Sequence, residues 1–470
     1  MTTAHRYDVA IIGAGPGGYV AGIRAAHRGL TACVIEQAEP GGVCLNWGCI
    51  PSKSLIHQAT QFLALAEMES IGVKVDRSGL RYADVHAKTR VAATALATGV
   101  TGLLRRNKVD LIRARGTIAA VGRVALSGEA RPADSVAAAN IIVATGSRPM
   151  EVPGFEFDER QVLSSSGVLA LSSLPESLLI LGAGAIGCEF AYALNAFGVK
   201  VTLVEMAAQI LPSEDREAAA QLADAMRRSG IDVRTGMRAA RLARRPDRVE
   251  VALTSDSAPG ETIVAQRVLA AFGRVPNTAD LGLEELGVAL ERTGHVVTGD
   301  YGETSIKGIY AVGDITRSAA LAHVAFREAE IAVDRIAGAP SHERSIDPSL
   351  VPSAVYTEPQ VAGFGLREQE AVARGIPYRK SVFPYRAAGK SLAIGRPTGF
   401  VKILAAPDTG ELLGAHIVGA EATELVQELL LARHAELLVD DVAATIHAHP
   451  TLSEAVSEAA RGLVDRPIHI

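Results

Sequence analysis

Residues 7–36 read YDVAIIGAGPGGYVAGIRAAHRGLTACVIE. A strand over 7–12 runs into Gly13-Ala14-Gly15-Pro16-Gly17-Gly18, a small-residue helix continues through Ala26, and a second strand over 31–35 ends on Glu36. Each glycine has a task at this spacing. Gly13 permits a tight turn, Gly15 lets a pyrophosphate approach the backbone, and Gly18 lets helix pack closely on strand. Glu36 falls where a carboxylate accepts hydrogen bonds from an adenosine ribose. A glycine turn alone is common in α/β proteins. The strand before it, the helix after it and the acid ending the next strand favour a dinucleotide-binding fold.

The construction recurs. A strand over 178–181 meets Gly182-Ala183-Gly184-Ala185-Ile186-Gly187, a helix covers 188–197, and a strand over 200–204 ends on Glu205. The acid stands 23 residues after the first glycine in both copies. Two matched copies imply two dinucleotides. Met206, Ala207, Ala208 and Gln209 follow the second acid and offer no Arg or Lys to a 2'-phosphate, so NAD is expected there over NADP.

Between the copies lies GGVCLNWGCIPSK (41–53), followed by an apolar-periodic helix to about residue 66. In a regular α-helix Cys44 and Cys49 would lie ~8.7 Å apart at Cα, beyond the ~7 Å limit for a bridge. A disulfide therefore demands a distorted first turn, and Asn46, Gly48 and Pro51 are residue types that tolerate one. A bridge closing so short a loop adds little stability, and non-ideal geometry makes it easier to reduce, which suits a bond that cycles. Two buried structural thiols are the less favoured alternative. A helix N-terminus and Lys53 nearby are expected to lower a thiol pKa.

Bulk properties agree with a multidomain enzyme. At roughly 150 residues per domain, 470 residues allow about three domains. Apolar residues at 48%, charged residues at 21% and 45 glycines fit an α/β protein rather than a disordered or fibrous chain. A net charge of -5 gives no general attraction to nucleic acid or to an anionic membrane. No apolar run is long enough to span a bilayer, and the apolar start over 9–23 is broken by glycines. Four cysteines (Cys33, Cys44, Cys49, Cys188) are too few for a secreted scaffold, so a cytoplasmic location is expected. No metal site is expected. The polar stretches 131–139 and 254–261 read as loops.

GGVCLNWGCIPSKSL (41–55) resembles the active-site stretch of the lipoamide branch of the pyridine nucleotide-disulfide oxidoreductases. The resemblance extends over nearly the whole chain. It includes ATGSRP (144–149), GRVPNT (273–278), IYAVGD (309–314), LAH (321–323), YTEP (356–359) and HAHPTLSE (447–454), the last characteristic of the lipoamide branch. It implies an α/β fold with two Rossmann-like dinucleotide-binding domains and an α+β C-terminal dimerisation domain. The expected limits are an FAD-binding domain with the redox helix (1–149), an NAD-binding domain (150–275), a central domain packing on the FAD domain (276–350) and an interface domain (351–470).

The implied reaction oxidises dihydrolipoamide to lipoamide and reduces NAD, electrons passing from the dithiol through Cys44 and Cys49 to FAD. Cys49 is implied beside the flavin and Cys44 as the sulfur that exchanges with substrate. His449, oriented by Glu454, is the implied base, contributed by the other subunit of a homodimer. Lys53 and its acid partner Glu189 are implied near the flavin N5. FAD would be held by Gly13, Gly15, Gly18, Glu36, Lys53, Thr145, Gly146, Asp314, Ala322 and His323. NAD would be held by Gly182, Gly184, Ile186, Gly187, Glu205, Gly273 and Arg274. His447 reads as a polar-network residue rather than a second base.

Implied partners are dihydrolipoamide or a lipoylated protein domain, and through it a 2-oxoacid dehydrogenase or other lipoyl-carrying complex. Ala185 replaces the tyrosine of the glutathione-reducing branch, and the absence of cysteines after Cys188 argues against mercuric and large thioredoxin reductases. Trp47 replaces the common valine, Ala320 replaces methionine, and only Glu328 survives of the usual acidic run at 326–329. These departures keep open a diverged relative acting on another lipoyl-like carrier or small disulfide. A low-turnover flavin-bound structural subunit is the remaining alternative.

Overall fold

The computed structural model describes residues 6–128, 133–256, 259–340 and 343–470. The chain forms two compact units, residues 1–54, 84–150 and 273–346 in the first, and 55–83, 151–272 and 347–470 in the second.

In the first unit the strand Arg6–Ile12 has parallel neighbours on both sides, Ala32–Glu36 and Ser135–Val143. Asp110–Arg113 extends the sheet beyond Ala32–Glu36, and Arg123–Ser127 and Arg115–Ala120 continue it antiparallel beyond Ser135–Val143. Ile309–Ala311 pairs with residues 141–143. A parallel strand in this position is buried on both faces, which is why 9–12 is an unbroken apolar run. Val9 and Ile11 pack with Ala21 and Ala25 of the helix Pro16–His27, while Ala10 and Ile12 face Ile118, Leu281 and Leu283. Arg24 and Arg28 of that helix both pair with Asp334 of the helix Ala322–Ile336, at 2.6 and 2.8 Å.

One expectation changes here. Residues 131–132 lie outside the described residues, but Ser135–Val143 is a strand, not a loop. Val136 and Ala138 are buried while Ser135 and Ala137 are partly exposed, the alternation of a sheet strand, and its alanine content masked that period. The second expected loop is flanked by strands ending at Thr254 and starting at Glu261, with 257–258 outside the described residues.

The second unit holds the second glycine motif in a five-stranded parallel sheet ordered Asp232–Thr235, Lys200–Glu205, Ser177–Leu181, Arg267–Ala270, Val162–Leu163. The helix after the turn is Ala185–Ala196. A three-stranded antiparallel sheet runs over Arg238–Arg244, Val249–Thr254 and Glu261–Ala265. A further antiparallel sheet, ordered Ser353–Val355, Gln360–Gly365, Leu412–Gly419, Phe400–Ala405, Arg379–Pro384, shares one core with the helices Ala422–His434 and Glu454–Val464.

A buried ion cluster joins this last sheet to the helix Arg216–Arg228. Lys402 is 1% exposed at its side chain, and its Nζ lies 3.0 Å from Asp215, 2.8 Å from Glu217 and 2.5 Å from Glu368. Asp215 also caps the helix, accepting from the Glu217 and Ala218 amides. Burial works against ionisation of Glu368, yet hydrogen bonds from Lys402 and Lys380 bring its pKa down to about 2. His416, directly across the sheet from Lys402, is driven toward neutrality by burial. A buried cation removed from its partners leaves uncompensated carboxylates, which typically costs about 3–5 kcal/mol. Lys402→Met is expected to destabilise the protein by that amount, read as a fall in the urea midpoint. A midpoint within error of the parent would show that the cluster contributes nothing.

Candidate functional site

The two glycine turns are built alike. A Cβ on Gly13 (φ 102°) would lie 2.4 Å from the Ala144 oxygen, and one on Gly18 would lie 1.8 Å from the Gly13 oxygen. The corresponding distances in the second turn are 2.3 Å for Gly182 to the Ala271 oxygen and 2.0 Å for Gly187 to the Gly182 oxygen. Glu36 accepts from the Ala14 and Ala38 amides, both at 2.7 Å, and Glu205 accepts from the Ala183 and Ala207 amides, both at 2.8 Å. Each acid therefore ties its strand end to its glycine turn, a role that spacing alone did not reveal. A carboxylate oxygen retains a further lone pair for a ribose hydroxyl. In the first unit a cavity of about 260 Å³ is lined by Gly13, Glu36, Arg115, Thr145, Arg148 and Asn277 among others.

The cysteine segment is seated on the first turn. The Gly41 amide donates to the Ala14 oxygen at 2.7 Å, and a Cβ on Gly42 (φ 57°) would lie 2.7 Å from the Gly15 Cα. A short helix, Gly42–Trp47, carries Cys44 and stops at Gly48 (φ -144°, ψ -109°), and the helix Cys49–Ser70 starts afresh. The expected distortion is thus a break between the cysteines. Asn46, buried, donates through its amide to the Pro40 and Gly42 oxygens, each at 3.0 Å, and holds the entry to the short helix.

The break brings the Cys44 thiol into hydrogen-bond reach of Cys49. The hydrogen bond to Cys49, then burial, then the charge of Cys49 push Cys44 far up, and the opposing pull of Lys53 is smaller. Cys33 is raised to about 12 by burial, and Cys188, fully buried, is raised further.

Asp314 accepts from the Ser147 hydroxyl at 2.5 Å. Arg274 lies in the first unit, donating to the Ser147 hydroxyl and carbonyl at 2.7 Å each and standing 3.7 Å from Asp314. Gly273 lies in the first unit, its oxygen accepting from the Met150 amide. Thr145 and Asn277 exchange hydrogen bonds at 2.8 and 2.9 Å, and Asn277 donates from its amide to the Gly146 oxygen. Glu328 accepts from the Gly313 amide at 2.6 Å and pins the turn that carries Asp314. Ala322 and His323 open the helix Ala322–Ile336.

In the second unit His449 Nδ1 lies 2.9 Å from Glu454, whose other oxygen accepts from the Thr451 amide at 2.8 Å. That amide bond, opposed by burial and joined by His449, holds the Glu454 pKa below the usual carboxylate value. The His449 side chain is 79% exposed. His447 bonds Glu428 at 2.7 Å and the Thr445 oxygen at 3.0 Å, the network role expected of it. One turn after Glu454, Glu458 accepts from the Ile468 and His469 amides and holds the His469 ring. Glu189 is buried on the helix Ala185–Ala196 and accepts from the Tyr356 amide at 3.1 Å. Lys53 lies in the opening turns of Cys49–Ser70, within the first unit. Gly184 has open space where its Cβ would point, and Ile186 and Met206 are exposed nearby in sequence.

Residues 7–329 match the pyridine nucleotide-disulphide oxidoreductase family, and residues 351–460 match that family's dimerisation domain. The chain belongs to the pyridine nucleotide-disulphide oxidoreductases. Among relatives in this family, it is 38% identical to a dihydrolipoyl dehydrogenase of Bacillus subtilis over 99% of this chain and 100% of that one. It is 39% identical to a dihydrolipoyl dehydrogenase of Thermus scotoductus over 99% of each. The solved structure of LpdA from Mycobacterium tuberculosis superposes with a TM-score of 0.90 at 30% identity, covering 97% of this chain and 99% of that one. The HOCl-induced flavoprotein disulfide reductase RclA from Escherichia coli gives a TM-score of 0.85 at 26% identity, covering 97% and 99%.

As a pyridine nucleotide-disulphide oxidoreductase the chain is an α/β enzyme with FAD and NAD(H) as cofactors. The residues fit both. The side-chain-free turns, the paired acids and the cavity beside Gly13 and Glu36 suit two dinucleotides. No helix among the described residues is long and apolar enough to cross a membrane.

Thiol chemistry tests this geometry. In the reduced, folded protein at pH 8, iodoacetamide is expected to label Cys44 and Cys49, and to reach Cys33 and Cys188 only after denaturation. Mass spectrometry of the peptides reads the order. Labelling of Cys33 or Cys188 in the folded protein would contradict their burial.

Proposed function

We propose that the chain is an NAD-dependent dihydrolipoyl dehydrogenase, working as a homodimer on dihydrolipoamide or a lipoylated protein domain. The observation that carries this reading is the Cys44 thiol in reach of Cys49 across the Gly48 break, on a segment seated against the first glycine turn. Two thiols so placed close to a disulfide and reopen without refolding the segment.

In this reading a thiolate of dihydrolipoamide attacks the Cys44 sulfur of the bridge, breaking the S–S bond and releasing Cys49 as thiolate. The second substrate sulfur then displaces Cys44, giving cyclic lipoamide and the enzyme dithiol. His449 of the other subunit takes the substrate proton. Its Nδ1–H faces the Glu454 carboxylate, which fixes the tautomer and leaves Nε2 as the acceptor. Glu454, kept anionic by the Thr451 amide, stabilises the imidazolium that forms. Lys53 and Glu189 belong to the flavin surroundings in this reading. FAD, when bound by Gly13, Gly15, Gly18, Glu36, Thr145, Gly146, Asp314, Ala322 and His323, supplies the two-electron acceptor between the thiols and NAD. NAD is taken by the turn Gly182, Gly184, Ile186, Gly187 with Glu205.

The protein partner we infer is the lipoyl domain of a 2-oxoacid dehydrogenase or another lipoyl-carrying complex. The low cysteine count supports a cytoplasmic location in this reading.

Cys44→Ser is expected to abolish dihydrolipoamide-dependent NADH formation while FAD stays bound, and full turnover in that variant would refute the disulfide route. His449→Gln is expected to lower kcat/KM by about 10²–10⁴-fold, the usual contribution of a general base. Glu454 has a depressed pKa, so its hold on His449 is present above the ordinary carboxylate pKa and is lost only as pH falls through the folded value. Glu454→Gln, which removes the carboxylate that orients the imidazole, is expected to lower kcat/KM for dihydrolipoamide while FAD stays bound, measured by NADH formation and flavin absorbance.

A further inference from the structure

The sequence departs from its family's common pattern at Trp47, between the two cysteines, and the structure supplies this residue with a partner. The Arg90 guanidinium, on the helix Tyr82–Arg106, lies over the Trp47 indole at 5.1 Å from the ring centre. Its Nη1 also donates to the Asn46 oxygen at 2.5 Å. That oxygen belongs to the last turn of Gly42–Trp47, where carbonyls have no partner within the helix. Arg90 thus closes the far end of the short helix by hydrogen bond and by cation–π contact. The near end is held by Asn46 on the Pro40 and Gly42 oxygens and by Gly41 on Ala14. With both ends held, the Gly48 break keeps its shape whether or not the sulfurs are joined.

We propose that Arg90 and Trp47 are positioning residues that set the dithiol–disulfide equilibrium of Cys44 and Cys49, a reading that rests on these cysteines being the redox pair. Ring closure breaks two S–H bonds, forms one S–S bond, and passes two electrons and two protons to an oxidant such as oxidised dithiothreitol. A backbone already held in the closed geometry raises the effective concentration of one sulfur at the other, so the clamp favours the bridge. Loosening it favours the dithiol and makes the pair more oxidising.

The test equilibrates the FAD-loaded enzyme with graded ratios of reduced and oxidised dithiothreitol, quenches with acid, alkylates and weighs the peptide bearing Cys44 and Cys49. Arg90→Ala and Trp47→Leu are expected to shift the exchange constant about tenfold toward dithiol, which is about 30 mV for two electrons. Trp47→Phe, which keeps an aromatic face for Arg90, is expected to stay within about twofold of the parent. If Arg90→Ala fails to retain FAD, Trp47→Leu decides alone. Exchange constants within about twofold of the parent in Arg90→Ala and Trp47→Leu, or a Trp47→Phe shift as large as theirs, would overturn the proposal. If the parent never bridges at any ratio, the redox-pair reading falls with it, whereas a bridging parent with unshifted variants removes this proposal alone.

Discussion

The contact on which the site depends is between two stretches of bare backbone, Gly41 and Gly42 against Ala14 and Gly15. At Gly42 a single added methyl carbon would meet the Gly15 Cα at 2.7 Å. Two motifs that read as separate in the sequence are therefore one construction: the turn that suits a pyrophosphate also seats the segment that carries the sulfurs. The position of Cys44 follows from that contact, from the helix stop at Gly48, and from the carbonyls that Asn46 gathers.

The duplicated turns share their dimensions and differ in what covers them. Over the first, residues 41–42 approach closely; beside the second, the Cβ direction of Gly184 is open. A covered turn suits a dinucleotide that stays through many cycles, and an open one suits a dinucleotide that must leave each time it is reduced. The same backbone geometry thus serves a resident cofactor and a co-substrate. In both, the terminal acid is already engaged with two amides, so the site is pre-formed by hydrogen bonds within the protein.

Much of this was legible in the sequence because it rests on local rules. Glycine spacing, the strand-end acids, the need for a break between Cys44 and Cys49, and the His449–Glu454 pairing each involve residues within one or two elements. What escaped rests on distance in sequence. Ser147, Arg274 and Asp314 meet from three segments, and Arg90 reaches Asn46 across 44 positions. The raised pKa of Cys44 escaped too, because the nearby sulfur and the burial that cause it depend on the fold. The strand Ser135–Val143 was hidden by alanines, whose burial comes from their neighbours rather than from their own character.

Trp47 is the sole tryptophan of the chain, and it stands between the two sulfurs. Excited at the red edge of indole absorption, the polypeptide therefore gives tryptophan emission from one place only, a ring 43% exposed with a guanidinium over its face. Its intrinsic fluorescence is a single-site optical probe of the redox segment, written into the polypeptide without any label.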